Sequence, residues 1–159
     1  MGIVERFPTL TGRDLDGKEV VIPRDLPGEA RLLIVAFQRW HQLVVQGWSG
    51  VLADLGATYP GLEVWEVPTL SSGYRPVRAF IDGGMRAGIP DPDTRRHTLT
   101  VYTGLRDLQR RLGLADFQDI HLYLLDRDGR VAWSGSGGLD DEQVAGLVRA
   151  LEDLPGAGA

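Results

Sequence analysis

The sequence predicts an α/β fold, a mixed sheet sandwiched between two helical layers, on three observations. Two short apolar runs, residues 32–37 and 62–67, flank a stretch of helical periodicity and so read as a β-α-β crossover. Two further short runs, 120–125 and 130–134, flank Asp126-Arg-Asp-Gly129 and read as an antiparallel hairpin. An amphipathic segment with its own capping signal closes the chain.

Each element follows from local chemistry. Residues 7–23 carry Phe7, Leu10, Leu15, Val20, Val21 and Ile22, and Asp16-Gly17 between them predicts an N-terminal hairpin. Turn residues fill 23–28. The run 32–37 is apolar throughout, as a strand buried on both faces is. From Leu43 the pattern turns helical, with Val44, Trp48, Val51, Leu52 and Leu55 on one face. Gly47 and Gly50 oppose that helix at about 1 kcal/mol each, and Tyr59-Pro60-Gly61 ends it. Residues 62–67 alternate and are bounded by Pro68, which predicts the second central strand.

Residues 69–98 form an irregular central insertion. A short helical piece around Val77, Phe80, Ile81 and Met85 is expected to stop at Gly83-Gly84, and Gly88-Ile89-Pro90 breaks the chain again. Residues 99–102 extend briefly, and Thr103 is placed as the cap of a helix bearing Leu105, Leu108 and Leu112, with Gly113 at its end. After the 120–134 hairpin, Asp140 with Gln143 forms a capping box for a helix burying Val144, Leu147, Val148 and Leu151. Residues 155–159 read as a frayed tail. No repeat or shift of composition divides the chain, so residues 1–159 are expected to form a single domain.

Composition excludes whole classes of chemistry. The chain has no cysteine; it can hold no disulfide, thiolate metal site, iron–sulfur cluster or thiol nucleophile. Its net charge of −5 argues against nucleic acid as a partner. Sixteen arginines stand against the single Lys18. Arginine suits bidentate contacts with anions, and a GC-rich genome produces the same bias. The longest strongly apolar run is six residues, far below the roughly 20 that cross a bilayer. No signal core or myristoylation pattern stands at the start, so a cytoplasmic location is expected.

The order of elements matches the thioredoxin-like fold. Phe7-Pro-Thr-Leu-Thr-Gly12 with Leu15-Asp-Gly17 and Val20 resembles the N-terminal hairpin of peroxiredoxin-like and thiol-disulfide proteins of the TlpA kind. Tyr123-Leu-Leu-Asp126 with Asp128-Gly-Arg130-Val131 resembles their later hairpin. A narrower resemblance spans nearly the whole chain. It rests on Phe37-Gln-Arg-Trp40 with Gln46 and Trp48, on residues 78–90, on Val101-Tyr102 with Gly104-Leu105, and on residues 129–137. These segments look like the mitochondrial ATPase complex subunit ten family, whose characterised members are assembly factors for ATP synthase. The resemblance implies a protein partner, ATP synthase subunits among the candidates, met through peripheral association with a membrane complex.

In open α/β sheets, ligands favour the loops beyond the carboxyl ends of parallel strands. That rule gathers Arg39, Trp40, His41, Gln42, Glu66 and His121 at one corner. In thioredoxins the redox pair follows a Trp after the first central strand; here Trp40 is followed by His41-Gln42-Leu43-Val44. The cis-proline that the resemblance places before the later hairpin is replaced by Ile120. The corner is therefore empty of redox chemistry, and no cofactor is expected. His41 with Glu66 offers an acid–base pair for a small enzyme or ligand-binding domain; alternatively His41 caps a helix start and Glu66 pairs with an arginine. His41, His97 and His121 show no metal-ligand spacing, and no metal site is expected. Three near misses carry no function. Asp126-x-Asp128-Gly129 lacks the later ligands of a calcium loop, Asp140 breaks a dinucleotide fingerprint at Gly135-x-Gly137, and Gly47-Trp-Ser49-Gly50 lacks a nucleophile elbow's spacing.

The insertion sets five arginines, Arg75, Arg78, Arg86, Arg95 and Arg96, against Asp82, Asp91 and Asp93, with Phe80, Ile81 and Met85 between them. Arginines beside apolar anchors suit a protein–protein surface; an amphipathic cover on the sheet reads the same way. The expected partner surface is Arg39, Trp40, His41, Gln42 and Glu66, extended along Arg75, Arg78, Phe80, Arg86, Arg95 and Arg96. Trp40 is the tryptophan expected to be partly exposed, the other three lying in the core.

Overall fold

The computed structural model describes residues 4–158. At its centre β3 (Ala30–Ala36) runs parallel to β4 (Leu62–Ser71), joined by α1 (His41–Thr58). The register Ile34↔Glu66 and Ala36↔Pro68 fixes which side chains share a face. The N-terminal hairpin, β1 (Leu10–Arg13) and β2 (Glu19–Ile22), joins the same sheet through β5 (Thr100–Thr103). Two more helices, α2 (Arg78–Gly88) and α3 (Pro92–Arg96), follow a 3-10 turn at Ser72–Val77 and form the insertion before β5. Then come α4 (Leu105–Leu112), the hairpin β6 (His121–Leu125) and β7 (Val131–Ser136), and α5 (Asp141–Asp153). The strand order is β2-β1-β5-β4-β3-β6-β7, with β3, β4 and β5 parallel and β6 antiparallel to β3.

Alternation along β3 divides the core. Leu33 and Val35 face a layer holding Phe7, Leu108 and Leu112, while Leu32 and Ile34 face Trp48, Leu52, Leu147 and Leu151. The Trp48 indole donates to the Gly137 carbonyl at 3.0 Å, which satisfies the one polar atom of a fully buried side chain. Arg31 is buried too. Its guanidinium donates to the carbonyls of Pro23, Leu26 and Asp126, tying the end of the first hairpin to the turn of the last.

Several boundaries differ from the sequence expectation. β4 passes Pro68 and continues to Ser71, because Pro68 stands where pairing to β3 ends and pairing to β5 begins at Thr69↔Val101. A missing N–H costs little at that handover. α2 runs through Gly83-Gly84 without a break, held by tertiary contacts at Arg78 and Asp82 that outweigh glycine propensity. The cap of α4 is Gly104 rather than Thr103, with no side-chain bond. Of the expected frayed tail, Ala159 lies outside the described residues, and Ala157 is docked: it is buried and its carbonyl accepts from Gly61 N at 3.0 Å. A Cβ at Gly61 would lie 2.2 Å from the Gly156 oxygen, so only glycine permits that approach. Asp140 caps α5 as expected, accepting from Gln143 N at 2.8 Å. Among the described residues no helix is long and apolar enough to cross a membrane.

Candidate functional site

The carboxyl ends of β3 and β4 open into a cleft of about 450 Å³. One wall is the start of α1, with Gln38, Arg39, Gln42 and Gln46; the other is the end of α2, with Gly84, Met85, Gly88 and Ile89. Ile34, Ala36, Pro68 and Leu70 line it from the sheet, and Glu66 sits among them. The alternation of β4 puts Glu66 on the α1 face, since Trp65 and Val67 belong to the opposite core layer.

Glu66 is half-buried, and burial raises its carboxyl pKa above the usual value. A hydrogen bond from Gln42 Nε2 to Oε2, 3.4 Å long, opposes that shift. Among the described residues Glu66 makes no ion pair, which corrects the expected pairing with an arginine. Gln42, Arg39 and Glu66 are thus brought together around the cleft.

His41 is not part of that surface. It is fully buried, so the expectation that it contacts a partner is corrected. Its Nδ1 accepts from the Phe37 and Gln38 amides at 3.0 and 3.3 Å, and Nε2 lies 3.0 Å from the Gln118 carbonyl. Those bonds employ both ring nitrogens, and the acid–base pair with Glu66 is absent. His41 holds the turn before α1, where no conventional side-chain N-cap exists. His121 is also displaced from the corner. It lines a different cavity, on the α4 side of the sheet, and burial lowers its pKa.

Trp40 is 50% exposed and Leu43, one turn on, 73%. The Trp40 ring meets the His41 ring edge-on at 4.5 Å, which positions the indole at the corner.

The insertion arginines separate. Arg78 is largely buried and its polar contacts run inward. Its guanidinium donates to Thr100 O at 2.8 Å, pairs with Asp82 at 3.3 Å and stacks 4.5 Å above the Tyr102 ring. Tyr102 and Thr100 in turn donate to Asp82, both at 2.8 Å, and burial with that bond raises the phenol pKa. Arg75 reaches the Tyr102 carbonyl at 3.1 Å. Arg86 pairs with Asp16 in the β1–β2 turn, Arg96 pairs with Asp93, and Arg95 donates to the Ile89 carbonyl. The locally positive charge is therefore largely spent on holding the insertion down. Phe80, by contrast, is 84% exposed.

Sequence reasoning missed the far wall of the cleft, Met85 and Ile89 with the open backbone of Gly84 and Gly88. The spacing of four between the glycines was the available signal. A Cβ at either would meet nothing within 4 Å. Among the described residues no three metal-ligating side chains converge.

No protein-family model matches the chain, and no curated protein matches it in sequence. Solved structures do. A thiol:disulfide interchange protein from Bacteroides sp. is 18% identical with a TM-score of 0.57, over 99% of this chain and 93% of that one. A candidate electron transfer protein from Aquifex aeolicus is 16% identical with a TM-score of 0.62, over 94% and 92%. The exposed lipoprotein thioredoxin of Streptococcus pneumoniae is 14% identical with a TM-score of 0.57, over 89% and 98%. At such identities the likeness speaks for the fold alone. The chain has a thioredoxin-like α/β fold, a mixed seven-stranded sheet with five helices among the described residues, built without a cysteine.

Proposed function

We propose that this protein works by binding another protein, as a single non-catalytic domain. The observation that carries the reading is the exposed apolar pair Trp40 and Leu43 at the opening turn of α1. A large aromatic kept half in water at the fold's ligand corner costs solvation and has the character of an interface anchor. Phe80 on α2 is a further exposed aromatic. The absent thiol removes the redox role, and the net charge of −5 speaks against nucleic acid. The sequence resemblance to the mitochondrial ATPase complex subunit ten family makes ATP synthase subunits the first partners to test. The role would be that of an assembly factor or chaperone, associating peripherally with a membrane complex.

The test is capture of ATP synthase subunits on the immobilised protein, with Trp40→Ala and Leu43→Ser alongside. Specific capture lost in both variants supports the reading. Equal capture by wild type and variants removes the site, and no capture of any subunit removes the partner.

A further inference from the structure

We propose that the cleft between α1 and α2 is a binding site for a small organic cation, an ammonium group on an apolar body, with the Glu66 carboxylate as its counter-ion. At about 450 Å³ the cleft lies in the lower part of the range of small-molecule pockets, roughly 300–1,000 Å³. Its walls are mainly apolar, from Ile34, Ala36, Pro68, Met85 and Ile89, with Glu66 as the acidic group among them.

A half-buried carboxylate is costly unless paired. Glu66 has one hydrogen-bond donor, the Gln42 amide at 3.4 Å, and no basic partner among the described residues. The adjoining hollow, about 360 Å³, shares Glu66 and carries Glu63 and Asp93. Those two are already engaged, Glu63 by His97 at 3.4 Å and Asp93 by Arg96, so the unmet negative charge belongs to Glu66. Arg39 also lines the cleft, but its side chain is exposed, where water and salt screen its charge. The burial that raises the Glu66 pKa is the same penalty that a bound cation relieves. Gly84 and Gly88 leave the α2 wall open for the apolar body.

Three probes with one body and different heads test the idea: phenethylamine, phenethyl alcohol and hydrocinnamate, titrated while the amide resonances of Gln42, Glu66, Gly84 and Gly88 are followed. The amine is expected to saturate in the millimolar range or below, at least about tenfold tighter than the alcohol, with no saturable effect of the carboxylate. Glu66→Gln should weaken the amine by about tenfold or more. Gly84→Leu should abolish binding while the helix persists, since the added side chain enters open space. Equal binding of all three heads, amine binding unchanged in Glu66→Gln, or no saturation by the amine overturns the proposal. Loss of partner capture in Glu66→Gln without amine binding also overturns it, in favour of a basic side chain of the partner in the cleft. The site is independent of the protein-docking reading, because none of the amine titrations requires a partner.

Discussion

Nε2 of His41 lies 3.0 Å from the carbonyl oxygen of Gln118, a residue 77 positions further along the chain. The other ring nitrogen accepts two backbone amides, so Nε2 carries the proton and donates it to that carbonyl. One imidazole thereby joins the loop leaving β3 to the loop entering β6. At the corner where thioredoxins place sulfur chemistry, this chain places a structural hydrogen-bond junction.

His41→Ala should therefore destabilise the fold by about 3 kcal/mol, from two orphaned amides, a lost bond to Gln118 and a cavity. Urea unfolding measures the cost. Faster hydrogen exchange at Phe37 and Gln38 locates it. A change within about 0.5 kcal/mol, the usual range for surface substitutions, would show that the junction is dispensable.

Arg78→Ala should cost about 2 kcal/mol or more, because the charged donor serves Thr100, Asp82 and the Tyr102 ring together. Arg78→Lys should recover only part of the loss, since an ammonium cannot reproduce the planar fork. Thermal unfolding of both variants checks the order. A lysine variant as stable as wild type would remove the geometric argument.

Trp40→Ala and Leu43→Ser should behave in the opposite way. Both side chains are exposed, and their removal is expected to change stability by less than about 1 kcal/mol while weakening partner capture at least tenfold. Circular dichroism melting paired with capture separates the two effects. A large drop in melting temperature for Leu43→Ser would show that this surface serves the fold.

The carboxyl of Glu66 is raised by burial, so its ionised form is the less stable one in the folded chain. The favourable contribution of the protonated group is full below the unfolded-state pKa and is lost as pH rises through the higher folded-state value. Glu66→Gln should accordingly melt roughly 2 °C or more above wild type at neutral pH. That advantage should vanish on acidification to about pH 4. Melting curves at both pH values decide it; a variant less stable at neutral pH refutes the penalty.

Purified protein should neither reduce insulin disulfides nor consume peroxide beyond stoichiometry. Its sulfur atoms are the thioethers of Met1 and Met85 alone, and neither forms a thiolate. Turnover in either assay would disprove this.

The sequence by itself determined the crossover of residues 32–37 and 62–67 through α1, both hairpins, the closing helix and its Asp140 cap. Each of these is written in local periodicity or turn chemistry, which acts over a few residues. In the insertion it marked one helical piece where the structure has α2 and α3. It also determined the absence of thiol chemistry, a matter of composition. Tertiary structure decided the rest. His41 and Glu66 stand at one corner by topology, yet one ring is turned to Gln118 and the other side chain faces the cleft. The sequence could not tell a buried histidine from an exposed one because the partner lies 77 residues away. Arg78 and Phe80 share one short helix, and only packing on β5 makes the first a clamp and leaves the second in water. α2 likewise crosses Gly83-Gly84 because Asp82 is bound by Thr100 and Tyr102, contacts between residues that local propensity does not see.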